Sequence, residues 1–436
     1  MTEQTAPGAQ VTGAQETGAQ ETGTHGSGTH GTSAPPGSPG EVFGAFLKLG
    51  LTSFGGPVAH LGYFRDELVL RRRWMDDAAY GDLVALCQFL PGPASSQLGF
   101  ALGLLRGGGL LGGLAAWAGF TLPSAIVLTA CALGAATLAG ADGVLHGLKL
   151  VAVAVVAQAV WGMTRTLTPD RARAGIALAA LALVVFAGSA LGQVVAIALG
   201  ALAGLVLCAE AAPAPGASAR TDVPGPEPAL PVPLSRRTGA LLLALFAALL
   251  VVPPVITAAT GIQGLALFDA FYRSGALVFG GGHVVLPLLQ AEVVAPGWVS
   301  ASTFLAGYGL AQAVPGPLFT FAAYLGAAMG PAPNGIAGAV IALGAIFLPG
   351  LLLVTGMLPF WDQLRRGTRA QAAMRGANAA VVGLIGAALY SPVFTGAVFG
   401  APDFVAAAAG FLLLTVWRVP PLAVVVLLAG AGVFLG

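Results

Sequence analysis

The strongest constraint on this chain is that it repeats itself. Ser53-Phe54-Gly55-Gly56 returns as Val278-Phe279-Gly280-Gly281, and Glu67 returns as Glu292, both 225 residues on. After a one-residue deletion the separation becomes 224: Trp74 then answers Trp298, Gln88 answers Gln312, and Pro91-Gly92-Pro93 answers Pro315-Gly316-Pro317. Leu122-Pro123 goes on to match Leu348-Pro349, and Gly147 matches Gly376. So constant a register makes 41–210 and 238–436 two copies of one fold, joined by a Pro/Ala/Gly-rich exposed linker at 211–237.

Composition fixes the solvent these copies face. Hydrophobic residues are 56% of the 436 and charged residues only 8%, against about 25% charged in a soluble protein. That is too little charge to cover a water-facing surface, so most of the surface is expected to face lipid. Long apolar segments run near 110–138, 144–164, 174–190, 191–209, 239–257, 334–357, 376–395, 398–416 and 419–436. Each is close to the roughly 20 residues that cross a bilayer. Four others, near 43–70, 78–105, 268–294 and 302–329, are interrupted by Gly or Pro, as membrane helices tolerate when neighbours satisfy the freed backbone.

The basic residues differ between the copies. Arg71-Arg72-Arg73 corresponds to the neutral Ala295-Pro296-Gly297, and Arg165, Arg171 and Arg173 have no basic counterpart near 391–402. Conversely, Arg365, Arg366, Arg369 and Arg375 match the neutral turn at 140–143. Basic loops favour the cytoplasm, so equivalent loops are expected on opposite sides, with 239–257 as the extra crossing that flips the second copy. The fold expected is an all-α polytopic membrane protein of two inverted-topology repeats with Gly/Pro-broken helical hairpins, the usual plan of secondary transporters. With the N-terminus cytoplasmic and the broken segments folded as hairpins, every basic cluster falls inside. Whether those segments are hairpins or full crossings stays open.

Broken segments at matched positions mark the expected transport site. In the first copy these residues are Ser53, Gly55, Gly56, Pro91, Gly92 and Pro93, and in the second Gly280, Gly281, Pro315, Gly316 and Pro317. A Pro-Gly-Pro triplet ends one half-helix and starts another, whose free N–H groups and dipole suit an anion. The bland reading of each triplet is a tight turn between helices. Ser95, Ser96 and Gln97 follow the first triplet and can donate to oxyanion oxygens, while the second is followed by the more apolar Leu318-Phe319-Thr320, so the site is expected to be asymmetric. Gln88 and Gln312 precede the triplets. His60, Arg65 and His283 lie in the broken segments, where the alternatives are a packing histidine and an interfacial arginine snorkelling to headgroups. Lys149, matched to Asn378, could balance an anion from within a long helix. Glu67 and Glu292 are the matched acids and the candidates for a coupling proton.

The remaining signals are weaker. Cys87, Cys131 and Cys208 are far apart, lack metal-site spacing and read as packing residues. Residues 1–40 repeat GAQ and ETG units, with His25 and His30 among them, and are expected to be a disordered tail rather than a signal peptide. No metalloprotease helix motif, phosphate-cradling loop or nucleophile elbow is present, so neither a cofactor nor an enzymatic activity is expected.

Phe54-Gly55-Gly56-Pro57-Val58-Ala59-His60-Leu61-Gly62, Arg73-Trp74, Leu86-Cys87-Gln88-Phe89-Leu90-Pro91-Gly92-Pro93, Gln97-Leu98-Gly99 and Phe120-Thr121-Leu122-Pro123-Ser124-Ala125 resemble the chromate ion transporter family. The segments Phe279-Gly280-Gly281-Gly282-His283, Gln312-Ala313-Val314-Pro315-Gly316-Pro317 and Phe347-Leu348-Pro349-Gly350 resemble its second domain, and the likeness spans about 41–430. The resemblance implies a long two-domain member in the bacterial inner membrane that expels chromate, driven by the proton motive force, with sulfate as the look-alike anion. The partners expected are an oxyanion and the lipid bilayer, with a homodimer left open and no nucleic acid. A passive or exchange-type carrier of another oxyanion such as sulfate is the alternative. A membrane enzyme would need a catalytic constellation that the sequence does not offer.

Overall fold

The computed structural model describes residues 37–54, 56–135, 142–187, 190–208, 234–279, 282–364 and 367–435. Gly55, Gly280 and Gly281, the histidines of the tail, nearly all of the linker, and Arg365 and Arg366 lie outside the described residues. The described residues are helical throughout, with no strand among them.

The first half opens with α1 (Pro39–Thr52), then α2 (Gly56–Phe64), which widens into a π-helical turn at Arg65–Arg71. Next come α3 (Asp77–Phe89), α4 (Ala94–Arg106), α5 (Leu110–Ala135), α6 (Asp142–Leu167), α7 (Arg171–Ala187) and α8 (Ala190–Leu207). After the linker α9 (Arg236–Thr260) leads to α10 (Gln263–Ala276). A run from Gly282 to Val294 follows, built of a 3-10 turn, α11 (Val285–Leu289) and a second π-helical turn at Gln290–Val294. Then come α12 (Ala301–Ala311), α13 (Phe321–Ala328), α14 (Gly335–Met357), the short α15 (Trp361–Leu364), α16 (Thr368–Ala388), α17 (Ala401–Thr415) and α18 (Pro421–Leu435). Helix α1 begins at Pro39 and α9 at Arg236, so two residues assigned to the tail and two assigned to the linker are already helical.

Local chemistry explains these boundaries. Ser38, Asp76, Ser235 and Ser300 each cap a helix by accepting a backbone N–H three residues on. Two of these caps, Asp76 and Ser300, fall at matched positions of the repeat, as do the two π-helical turns. Five helices, 110–134, 143–167, 236–260, 335–360 and 368–394, are long and apolar enough to cross a membrane. Large apolar side chains such as Leu111, Phe186 and Phe434 stand fully outward, as lipid-facing surfaces require. The chain is an all-α polytopic membrane protein.

Glycines set the packing. A side chain at Gly50 on α1 would stand 2.6 Å from the Gly119 carbonyl of α5, and one at Gly275 on α10 would meet the Ile346 carbonyl of α14. These are equivalent contacts within each half. The last two helices of each half behave differently. Helix α6 packs against α17 and α18, with Gly147 pressed on the Leu428 carbonyl. Helix α16 packs against α7 and α8, with Gly376 on the Gly200 carbonyl and Gly383 on that of Ala177. Each half thus lends its final helical pair to the other half's long helix. Small residues permit this backbone approach, which supplies the association energy that lipid withholds.

Candidate functional site

The two Pro-Gly-Pro triplets are where the halves meet. Gly92 has φ +123° and Gly316 has φ +108°, values that glycine adopts freely and L side chains rarely do. In this conformation the Gly92 N–H donates to the Val278 carbonyl at 2.7 Å, and the Gly316 N–H donates to the Ser53 carbonyl at 2.9 Å. Ser53 closes α1 and Val278 follows the end of α10. Each triplet therefore binds the broken end of the other half's helix. Each also rests on the other half's proline-bearing helix. Pro93 and Gln97 lie against Gly350 of α14, while Gly316 lies against Phe120 and Ser124 of α5.

The helices that leave the triplets differ. Helix α4 starts at Ala94 with Pro93 as its N-cap, and no side chain caps it. Ser95 and Ser96 sit in its first turn, each 3% exposed. The second triplet leads into a 3-10 turn in which Thr320 turns back on Pro317, its N–H and its hydroxyl both donating to that carbonyl at 3.0 and 2.7 Å. That opening is satisfied by its own residues.

Around the α4 start the polar groups are buried and underused. His60 is fully buried, its Nδ1 sharing a hydrogen bond of 3.3 Å with Ser95 Oγ. Its ring meets the edge of Phe120, 5.2 Å between centroids. Among the described residues His60 Nε2, Ser53 Oγ, Ser96 Oγ and Thr121 Oγ1 are buried without a hydrogen-bond partner. Such groups cost free energy unless something satisfies them. Gln97 is turned away: its amide nitrogen donates to the Pro91 carbonyl at 2.9 Å and the Gly350 carbonyl at 3.2 Å, tying the triplet to α14.

The second half gathers a looser set. His283 Nδ1 and the Tyr308 hydroxyl are hydrogen-bonded at 2.6 Å. Gln312 Nε2 and Asn378 Oδ1 are buried and unpartnered among the described residues. Lys149 is half-buried on α6, next to Leu148, whose carbonyl is where a side chain at Gly309 of α12 would land. Gln88, the counterpart of Gln312, is exposed.

Three candidates sit apart from this junction, all tied up in ion pairs. Arg65 is at the surface, bound to Asp77 at 2.6 and 3.1 Å. The Arg65 hydrogen bonds hold the Asp77 carboxyl below the usual aspartate range. Glu67 is bound by Lys48, Arg71 and Arg72 at 2.8, 2.8 and 2.9 Å. Glu292 meets Arg273 at 3.0 Å, and Arg273 also binds Asp269 at 3.0 Å. Sequence reasoning missed Asp269, Arg273, Ser124 and Tyr308. The spacing of Asp269 and Arg273, one helical turn apart, and the match of Lys48 to Arg273 at 225 residues were the available signals.

The family model described as chromate transporter matches residues 40–205 and 265–434. The chain is similar to the chromate transport protein of Pseudomonas aeruginosa, 32% identical over 382 residues, which cover 81% of this chain and 80% of that one. It is similar to the probable chromate transport protein of Synechococcus elongatus, 31% identical over 352 residues, 79% of this chain and 82% of the relative. The chromate transport protein of Cupriavidus metallidurans is 26% identical over 357 residues, 78% and 79% of the two chains. No solved structure matches the chain.

Proposed function

Because the chain belongs to the chromate transporter family, we propose that it exports chromate across the bacterial inner membrane, with the start of α4 as the seat of the anion. The observation that carries the site is the junction at the first triplet. An uncapped helix N-terminus there meets Ser53, His60 and Ser96, all buried and each with an unpartnered polar atom. Helix N-termini attract anions through free N–H groups and the dipole. With Ser95 donating to His60 Nδ1, the neutral ring keeps its proton on Nε2 and can donate to an oxyanion oxygen, as can the hydroxyls of Ser53 and Ser96. Lys149 supplies a positive charge from α6, and Gln312 is a further donor on the second half's side of the path. The matched π-turns, caps and reciprocal triplet bonds support two inverted repeats, so that the site sits where the halves cross.

Export is taken to draw on the proton motive force. The second reading is passive or exchange-type carriage of sulfate. It is favoured by the donor set itself, since hydroxyls and one imidazole do not distinguish two tetrahedral dianions. Chromate uptake into everted vesicles carrying this protein, with and without an imposed proton gradient and with sulfate as competitor, tests both. Gradient-dependent accumulation is expected. Chromate flux indifferent to the gradient would favour the passive reading, and sulfate uptake without chromate uptake would overturn chromate as the cargo.

A further inference from the structure

The two halves build the same ion pair in the same register and then surround it with opposite charge. Lys48 and Arg273 stand 225 residues apart, as do Glu67 and Glu292. Each cation reaches its glutamate, on the π-turn after the break, at 2.8 and 3.0 Å. In the first half Arg71 and Arg72 join in, so three cations hold one carboxylate. In the second half the matching positions are the neutral Ala295 and Pro296. The added neighbour there is Asp269, one turn before Arg273 on α10, in the place of Gly44. One arginine therefore serves two carboxylates.

Burial makes this imbalance matter. Asp269 is 4% exposed and the Glu292 side chain 16%. Removing an unneutralised charge from water is costly, and a second carboxylate nearby adds repulsion. The surroundings bring no relief. Among the elements packed on α10, α14 carries no ionisable residue. Helix α9 has only Arg236 and Arg237, in its first turn, more than two turns before Phe246, whose carbonyl accepts the Tyr272 hydroxyl. On the run from Gly282 to Val294 the other titratable group is His283, at its far start and bound to Tyr308 of α12. No other cation is within ion-pair distance of Asp269 or Glu292 among the described residues.

Resting on the reading of proton-driven export, we infer that Asp269 and Glu292 together bind the coupling proton, and that Glu67 does not. The step is one proton from water adding to a carboxylate oxygen of the pair and later returning to water, and no other bond changes. With the proton bound, Arg273 faces one carboxylate and the cluster is neutral. Without it, the cluster carries one negative charge. Glu67 stays ionised, because removing its charge would leave Lys48, Arg71 and Arg72 crowded around a neutral group. The pair is well placed to act on the anion site, since α10, which carries Asp269 and Arg273, runs directly to Val278, the residue that holds Gly92.

Infrared difference spectra of the purified full-length protein, recorded between acidic and neutral buffer, test this without any substrate. A band of protonated carboxyl is expected in the wild type. Because the proton belongs to the pair, Asp269→Asn alone or Glu292→Gln alone should remove it by leaving a one-to-one pair with Arg273, whereas Glu67→Gln should keep it. A band that survives in the Asp269→Asn/Glu292→Gln double variant, or that only halves in each single variant, would overturn the shared site. In proteoliposomes the two single variants should lose gradient-driven chromate accumulation. Wild-type protein that shows the band, loses it in both variants and moves no chromate would uphold the proton site and overturn the cargo instead.

Discussion

Gly92 donates its amide proton to Val278 across the boundary between the halves at 2.7 Å, and Gly316 repeats the arrangement on Ser53. Both bonds require a left-handed glycine. A methyl at Gly92 would stand 2.9 Å from Gln97 Nε2 and 3.1 Å from Gly350 Cα, and one at Gly316 would stand 2.9 Å from Ser124 Oγ. Gly92→Ala and Gly316→Ala should each cost at least about 1–2 kcal/mol from backbone strain alone, seen as a lower thermal midpoint in detergent, and each should depress chromate flux.

Ser95→Ala with Ser96→Ala removes one unpartnered donor from the α4 start and unhooks His60. Losing a hydrogen bond to a charged group costs about 1.5–3 kcal/mol, so chromate affinity in a binding titration should fall by about ten- to a hundredfold. Unchanged affinity would take the anion away from α4.

Lys149 separates charge from size. Lys149→Arg should keep much of the transport and Lys149→Met should lose most of it, at similar expression. Equal flux in the two variants would show that the cation does not face the anion's path.

Arg65 and Asp77 should matter little. Both are exposed, and exposed pairs contribute weakly, so Asp77→Asn should leave flux near wild type. The sign of the pH effect follows from the lowered Asp77 carboxyl. The pair's small stabilisation is present at neutral pH and is lost only as pH falls below about 3.9, the ordinary aspartate value. Melting curves of the two proteins should converge there.

Much of this fold was legible in the chain because membrane helices announce themselves by length and apolarity. The segment read at 334–357 is α14 at 335–357, and the breaks at Pro91-Gly92-Pro93 and Pro315-Gly316-Pro317 fall between helices as the proline chemistry dictates. The site was legible only in part. Ser95 and Ser96 could be placed at a helix start from local sequence. That Gln97 ties down a loop, that Arg65 is bound to Asp77, and that Arg273 links Asp269 to Glu292 depend on where π-turns and tertiary contacts bring side chains. No periodicity encodes such contacts. Nor could the exchange of helices between halves be read, since the glycines of α6 and α16 promise a close neighbour without saying which.

That exchange has a consequence for how the protein is made. Helix α6 leaves the ribosome long before α17 and α18 exist, so its glycine face cannot be covered until the last residues of the chain have been inserted. The first half can enter the membrane on its own schedule, but it can be completed only by the end of the second. Nascent chains halted after α16 should accordingly be substrates for membrane quality control rather than half-active carriers.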